Sequence, residues 1–405
     1  MNPKTKKVLG AVVRLAVAAG LIAYVLSQAR LRDAVRPAPD EASLPVVRKT
    51  DAGYVVRTEE SAERLIPHEA FGEPGGPVLA EGILSIARRL TGRWWWVVAA
   101  LGAMMLQSPL GAVRWRLLLA VQGIRITFWE SLRLTYIGWF FNNWLPGATG
   151  GDFVKAYYIA AQTHHKAEAV TVVFLDRFLG LVSVCIVGAV ALLASLDDPR
   201  VRIAQIVMGT FMAGVVAATT VFYSRWLRNL LRVDRLIARL PLAKIVARVD
   251  QALLVYRDHK RKVATAVLYS WGTQVASILA IWWVAVGLGS RADWYHYFLN
   301  MPVVWIGWAL VPVPGGFGVA ESLMQHLFGP DVLGGGSALP VGEAATLALA
   351  MMLAYRLVQM TVSLPGAVFY LARRTTVSPT HMREELEDEN GDAAEHPAGD
   401  TAPDE

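Results

Sequence analysis

Cysteine and charge are both scarce in this chain. The 405 residues include one cysteine, Cys185, and only 18% of them are Asp, Glu, Lys or Arg. A single cysteine excludes an intrachain disulfide, and inside an apolar run we expect Cys185 to be a small packing residue. Soluble proteins of this size carry about 25% charged residues. The low charged fraction therefore argues against an ordinary soluble domain.

Familiar catalytic and metal-binding motifs are missing as well. The sequence has no His-Glu-x-x-His pair, no Gly-x-x-x-x-Gly-Lys phosphate loop and no nucleophile elbow. We therefore expect a protein that is not an enzyme and that has no cofactor and no metal site. The net charge of +6 lies mostly in loops beside apolar runs. It indicates membrane orientation rather than nucleic-acid binding.

Long apolar runs are what the chain has in excess. Hydrophobic residues make up 54% of it, and its mean hydropathy is +0.39. Crossing a bilayer takes about 20 apolar helical residues. Six runs reach about that length without a polar face: Val8–Leu26, Trp94–Ala112, Val170–Ala194, Ile203–Tyr223, Val263–Leu288 and Ala344–Leu371. We predict an all-α polytopic membrane protein with about six full transmembrane helices.

Basic residues orient these helices. A cleaved signal peptide is the rival reading of the N-terminus, but Val8–Leu26 is longer than a signal core, so we predict a retained helix with Met1–Lys7 in the cytoplasm. The segment 224–262 holds eleven Lys or Arg and three Asp, which also indicates the cytoplasm. Both termini are then cytoplasmic, and we expect a bacterial inner membrane. Within the segment, 225–239 predicts an amphipathic helix on anionic lipids; a solvated cytoplasmic helix is the alternative.

The chain divides into four parts. Residues 1–26 form the first helix, and 27–93, with many prolines, form an extracytoplasmic insert. A transmembrane domain at 94–374 follows, and we expect the acidic tail 375–405 to be disordered, with no aminoacyl-transferase domain after the membrane region. The oligomeric state stays open.

Two segments predict broken helices rather than simple spans. Phe128–Ala161 is interrupted by Pro and Gly residues, and both of its ends have cytoplasmic signals. Trp294–Phe328 is interrupted in the same way, with both ends on the other side. We predict two re-entrant helical hairpins of opposite orientation, an inverted-repeat arrangement that in transporters marks the substrate site.

The breaks carry the candidate substrate-binding residues. Unpaired backbone at membrane depth must line a polar cavity or be covered by protein, and a helix that starts after a break points N–H groups toward an anion such as a phosphate. Buried acids cost about 2.5–3.5 kcal/mol each on insertion scales and are seldom idle. Mutual ion pairing and glycine packing kinks are the structural alternatives. The candidates are Asn142, Asn143, Pro146, Gly147, Gly150, Gly151, Asp152, Lys155, Asp176, Arg177, Pro314, Gly315, Gly316, Gly318, Glu321 and Arg356.

These residues resemble the motifs of the transmembrane, flippase-like region of the lysylphosphatidylglycerol synthases. The similar patterns are Asn143-x-Leu145-Pro146-Gly147-x-x-Gly150-Gly151-Asp152, Asp176-Arg177-x-x-Gly180, and Pro312-x-Pro314-Gly315-Gly316-x-Gly318-x-x-Glu321, together with Arg114-Trp115 and Arg356. The chain departs from the family at Lys155, Pro314 and Ala320, and its insert is longer. The resemblance implies translocation of a lipid without saying which one.

The leading hypothesis is a transporter that moves an anionic or aminoacylated phospholipid, or a related polar lipid, between leaflets. Glycine breaks and helix N-termini would hold the headgroup phosphate. Asp152 and Glu321 would carry charge or protons, and Lys155, Arg177 and Arg356 would compensate them. The alternatives are a membrane-embedded lipid transferase, with Asp152 or Asp176 as base, and a non-catalytic scaffold for envelope assembly.

Overall fold

The fold is described from a computed structural model. It covers residues 33–37, 44–58, 62–70, 77–144, 150–162, 166–224, 226, 255–310, 318–335, 339 and 341–372. The predicted first helix, the amphipathic segment 225–239 (apart from Trp226) and the acidic tail lie outside these residues.

The insert is a small antiparallel sheet, which the sequence analysis did not predict. Its five strands run in the order β4-β3-β2-β1-β5. They are β1 (Ala34–Arg36), β2 (Leu44–Thr50), β3 (Gly53–Arg57), β4 (Glu63–Pro67) and β5 (Val78–Ala80). Val35, Val56 and Ile66 form its buried core. A short helix, α1 (Ile83–Gly92), connects the sheet to the membrane part.

Helices form the rest of the described chain. They are α2 (Trp94–Val121), α3 (Phe128–Trp144), α4 (Gly150–Gln162), α5 (Lys166–Ala194), α6 (Arg202–Tyr223), α7 (Lys260–Leu288), α8 (Trp294–Leu310), α9 (Val319–Leu327), α10 (Pro330–Leu333), α11 (Val341–Ser363) and α12 (Pro365–Leu371).

Five stretches are long and apolar enough to cross a membrane. They are Trp94–Val121, Thr171–Ala194, Pro199–Val221, Lys260–Leu288 and Gly342–Leu371. Each contains or largely overlaps one of the spans predicted from sequence after the first. The chain is thus a helical, multi-pass membrane protein.

One predicted boundary is wrong. The sequence analysis predicted that the apolar run beginning at Trp94 ends at Ala112. Helix α2 instead continues to Val121, and Trp115 is 1% exposed. Arg114 stays inside the bundle because its charge has a carboxylate partner there, as described below.

Helices α2 and α7 form the most extensive helix pair, and they run antiparallel. Near one end, a Cβ on Gly287 would contact Trp96. In the middle, the Gln107 amide donates to the Thr273 carbonyl. Toward the other end, the Arg114 guanidinium donates to Ser270 Oγ at 2.8 Å. Residue numbers on α7 therefore fall as those on α2 rise.

Each of these two helices is followed by a pair of half-helices and then by a long helix. Helices α3 and α4 follow α2 and lead into α5, whereas α8 and α9 follow α7 and lead into α11. Because α2 and α7 are antiparallel, the two half-helix pairs start from opposite ends of the bundle.

The hydrophobic core reflects this division. One cluster joins α8 and α9 to the first half of α2 and the second halves of α5 and α7. A second cluster joins α3 and α4 to the opposite halves of the same three helices. The start of α8 and the end of α9 lie together. The Arg291 backbone N–H donates to the Leu333 carbonyl at 3.1 Å. The Tyr297 and Phe328 rings are 5.0 Å apart. Each half-helix pair therefore packs in its own half of the bundle.

Candidate functional site

The first buried ionic centre lies at the start of α4. Asp152 is in the first turn of that helix and is 7% exposed. Its carboxylate accepts from Lys155 Nζ at 2.8 Å, one turn later on the same helix, and from the Arg177 guanidinium on α5. One carboxylate thus holds two cations. We call Asp152, Lys155 and Arg177 the Asp152 centre.

The two cations of the Asp152 centre differ in exposure. The Lys155 side chain is 10% exposed and its ammonium lies 5.1 Å from the centre of the Trp115 ring, a cation–π geometry. The Arg177 side chain is 50% exposed. Since Arg is always protonated, the Arg177 guanidinium is the more accessible positive charge of the centre.

Close backbone contact places this centre. A Cβ on Gly151 would overlap the Gly138 carbonyl oxygen, and a Cβ on Gly138 would lie 3.0 Å from Lys155 Cδ. Asn142 Oδ1 accepts from the Gly151 backbone N–H at 2.8 Å. This contact satisfies a donor at the start of α4 that the helix itself cannot pair. The glycines and Asn142 therefore fix the angle between α3 and α4, which carries Asp152 to α5.

The second buried centre lies at the start of α9. Glu321 is 4% exposed and accepts from Arg356 Nε on α11 at 2.8 Å. Its other carboxylate oxygen accepts from the Gly318 backbone N–H at 2.8 Å. The Arg356 guanidinium lies 5.1 Å from the centre of the Trp308 ring on α8. We call Glu321, Arg356 and Trp308 the Glu321 centre.

The two centres are built to one plan. In each, an acid in the first turn of the second half-helix pairs with an arginine on the next long helix. A cation of the centre also lies over a tryptophan. Gly318 has a φ of +84°, in the left-handed region that favours glycine. The same arrangement therefore occurs once in each half of the bundle. The first half begins with α2 and the second with α7, and these two helices are antiparallel.

Asp176 belongs to a third ion pair. Its Oδ2 accepts from an Arg114 terminal nitrogen at 2.8 Å, and its Oδ1 lies 2.8 Å from Arg114 Nε as an ion pair. Arg114 also donates to Ser270 on α7, so the pair ties α5 to both α2 and α7. Neighbouring positions on α5, Asp176 and Arg177, thus contact different partners.

The structure brings together Gly151, Asp152, Lys155, Arg177 and Asn142 of the predicted site, and separately Gly318, Glu321 and Arg356. Gly150 starts α4, and Asn143 is the penultimate residue of α3, without a contact that the structure defines. Pro146, Gly147, Pro314, Gly315 and Gly316 lie outside the described residues.

Sequence analysis missed several contributors to these centres. Trp115 lies under the Lys155 ammonium, and Trp308 lies under the Arg356 guanidinium. The Gly138 backbone is in close contact with Gly151. Ser270 Oγ accepts a hydrogen bond from Arg114. The Arg114-Trp115 pair was noted only as part of the family resemblance. Nothing in the sequence distinguishes Trp308 or Ser270 from ordinary residues of a membrane helix.

Comparison with known proteins agrees with this architecture. The Lysylphosphatidylglycerol synthase TM region matches residues 78–366, which contain both ionic centres. The UPF0104 membrane protein PH1989 of Pyrococcus horikoshii is 27% identical over 288 residues, covering 65% of this chain and 82% of that protein. The match confirms the resemblance found in the motifs. The chain belongs to the family of membrane proteins defined by the lysylphosphatidylglycerol synthase TM region.

Proposed function

We propose that this protein is a flippase-like transporter that moves an anionic or aminoacylated phospholipid, or a related polar lipid, between leaflets. One observation carries the proposal. Buried ionic centres occur at the start of the second half-helix in both halves of the bundle, beside the positions where the sequence predicts helix breaks. Interrupted helices with opposed orientations and buried charges are the usual construction of a transporter substrate site.

The exposure of the cations favours a phosphate-containing substrate. In the Asp152 centre, the Arg177 side chain is 50% exposed, whereas the Lys155 side chain is 10% exposed. Arg177 is the more exposed cation, and a guanidinium binds phosphate oxygens through two parallel hydrogen bonds. A headgroup phosphate would bind the accessible side of the Arg177 guanidinium. Lys155, held over Trp115, would keep Asp152 paired while Arg177 turns to the lipid.

The two halves would act in sequence. Helices α3 and α4 pack in one half of the bundle, and α8 and α9 pack in the other. Each centre therefore lies toward a different end of the bundle. We infer that α3–α4 and α8–α9 are re-entrant hairpins of an inverted repeat in a bacterial inner membrane, with both termini cytoplasmic. A headgroup would pass from one centre to the other while its acyl chains stay in the lipid.

The same ion pairs would also lock helices together in a scaffold without turnover. A transporter and a scaffold require different properties of Asp152 and Glu321. A locking acid needs its volume and its hydrogen bonds, which Asn or Gln largely preserve. An acid that balances charge during transport needs its negative charge.

Lipid translocation in liposomes tests the proposal. The purified chain is reconstituted with fluorescent phosphatidylglycerol or fluorescent phosphatidylcholine, and lipid exposure is measured by quenching from outside. We expect faster movement of phosphatidylglycerol, which has a net negative headgroup. Asp152→Asn and Glu321→Gln should abolish it while the proteins stay folded. Asp51→Asn and Glu63→Gln, at exposed positions of the insert, are the matched controls and should transport normally.

Each other outcome is informative. Normal transport by both amide variants would contradict the functional role of the acids. Loss of folded protein together with activity would favour the scaffold. Equal rates for vesicles with and without the protein would contradict translocation of these lipids altogether.

A further inference from the structure

A cavity of about 660 Å³ lies where α1 meets the end of α7, away from both ionic centres. Small-molecule sites typically measure about 300–1,000 Å³. Its lining includes four arginines and no acidic residue: Arg88, Arg89, Arg93 and Arg291. We call these four residues the arginine pocket.

Among the described residues, most of this positive charge has no carboxylate partner. Arg89 pairs with Glu81. No ion pair within the described part of the chain joins Arg88, Arg93 or Arg291 to a carboxylate. All three are exposed. Like charges that line one cavity repel one another, so the pocket favours a bound anion.

The fold holds the arginines in place. Arg89 donates to the Leu288 carbonyl at 3.1 Å and lies over Gly289, where a Cβ would come 2.5 Å from its terminal nitrogen. Gly289 has a φ of +103°, in the region that favours glycine. Arg291 is fixed by the hydrogen bond from its backbone N–H to Leu333. The pocket is therefore a formed feature at a helix end.

The insert positions the α1 side of the pocket. The Asp33 carboxylate, 8% exposed, accepts from the Gly82 backbone N–H at 2.8 Å and from Ser85 Oγ at 2.9 Å. Both donors are at the start of α1, which carries Arg88 and Arg89. Ile86 anchors the same helix in the core of the bundle. The β-sheet thus connects directly to the arginines.

The depth of the pocket points to lipid. Trp94 and Trp95 follow Arg93 and are 62% and 50% exposed, as expected of tryptophans at the level of lipid headgroups. This end of α2 is the one that the sequence analysis assigns to the extracytoplasmic side. Clustered arginines are disfavoured there by the positive-inside rule, so topology does not account for them.

We propose that the arginine pocket binds the phosphate of an anionic lipid headgroup from the membrane leaflet beside α1 and the start of α2. Arginine suits this role because its planar fork binds two phosphate oxygens at once. The site is independent of the proposed translocation: it requires binding, not movement.

Native mass spectrometry of the full-length protein in detergent tests the proposal, with phosphatidylglycerol and phosphatidylcholine as probes. The test variant carries Arg88→Gln, Arg93→Gln and Arg291→Gln. The control carries Arg48→Gln, Arg57→Gln and Arg64→Gln, which remove the same charge from exposed positions of the sheet. We expect the test variant to bind phosphatidylglycerol at least about tenfold more weakly than the wild type, because charged hydrogen bonds are lost. The control should bind normally, and phosphatidylcholine binding should not change.

Three results would overturn the proposal. Equal losses in test and control variants would show a general effect of net charge. Unchanged phosphatidylglycerol binding by the folded test variant, verified by its thermal unfolding, would exclude the pocket. Competition by glycerol 1-phosphate at the same concentration as phosphatidylglycerol would assign the pocket to a soluble phosphate instead of a lipid.

Discussion

Arg356 donates from Nε to Glu321 Oε1 at 2.8 Å across 35 residues of sequence. Both side chains are buried, so neither charge has water to replace its partner. The bond joins α9, the second half-helix, to α11, the long helix that follows. It is thus a direct link between a helix break and a full transmembrane helix.

This link predicts how Glu321 variants differ in stability. Glu321→Ala removes the carboxylate that the buried Arg356 guanidinium contacts, and breaking a buried ion pair in this way should cost about 3–5 kcal/mol. Glu321→Gln keeps an oxygen acceptor for Arg356 and should cost distinctly less. Thermal unfolding in detergent measures both, with Glu63→Ala on the exposed surface of the insert as control. Equal destabilisation by Ala and Gln would show that the acceptor oxygen contributes nothing.

Gly151 and Gly138 predict a steric limit between α3 and α4. A Cβ at position 151 would overlap the Gly138 carbonyl oxygen, so Gly151→Ala must separate the two helices and displace Asp152. We expect a loss of several kcal/mol, comparable with overpacking a core. Gly102→Ala is the control, since nothing lies within 4 Å of its Cβ. It should be neutral or stabilising by up to about 1 kcal/mol. A Gly151→Ala protein as stable as Gly102→Ala would contradict the close approach.

The membrane helices could be predicted from sequence because length and hydropathy determine them locally. Five of the six predicted spans match candidate spans in the described residues, and the two interrupted segments are each two helices. The breaks were visible because Pro and Gly disfavour helix regardless of tertiary contacts. The extension of α2 past Arg114 could not be predicted from sequence. It depends on the ion pair between Arg114 and Asp176, which are 62 residues apart.

The arginines that pair with Asp152 and Glu321 could not be predicted from sequence either, because they lie far from these acids along the chain. Asp152 and Lys155 stand one helical turn apart, and their pairing follows from spacing alone. Arg177 and Arg356 lie on other helices, so only packing decides which acid each contacts. The β-sheet of the insert was missed because its strands are short, rich in charged residues and interrupted by proline, which makes their alternation weak.

Membrane orientation is testable at two described positions. The turn between β2 and β3 should be extracytoplasmic, and the start of α7 should be cytoplasmic. Ala52→Cys and Asp258→Cys, each in a Cys185→Ala background, provide single labelling sites. In intact cells, an impermeant maleimide should label position 52 and not position 258, and lysis should expose both. Labelling of position 258 alone in intact cells would invert the topology.

Asp198, in the turn between α5 and α6, predicts a pH-dependent contribution to stability. Hydrogen bonds from Arg200 lower the pKa of Asp198 to about 2, against an ordinary value of 3.8. A carboxyl group whose pKa is lower in the folded state stabilises the fold fully above its unfolded pKa. That contribution is lost as the pH falls through the folded pKa.

Unfolding temperatures of the wild type and Asp198→Asn should therefore differ by a constant amount above about pH 5 and converge as the pH approaches 2. The variant should be the less stable protein near neutral pH, because Arg200 and Tyr295 both lose their charged partner. The neighbouring exposed Asp197 provides the matched control, and Asp197→Asn should follow the wild type across this range. A difference between wild type and Asp198→Asn that persists unchanged at pH 2 would mean that the carboxylate charge is not its source.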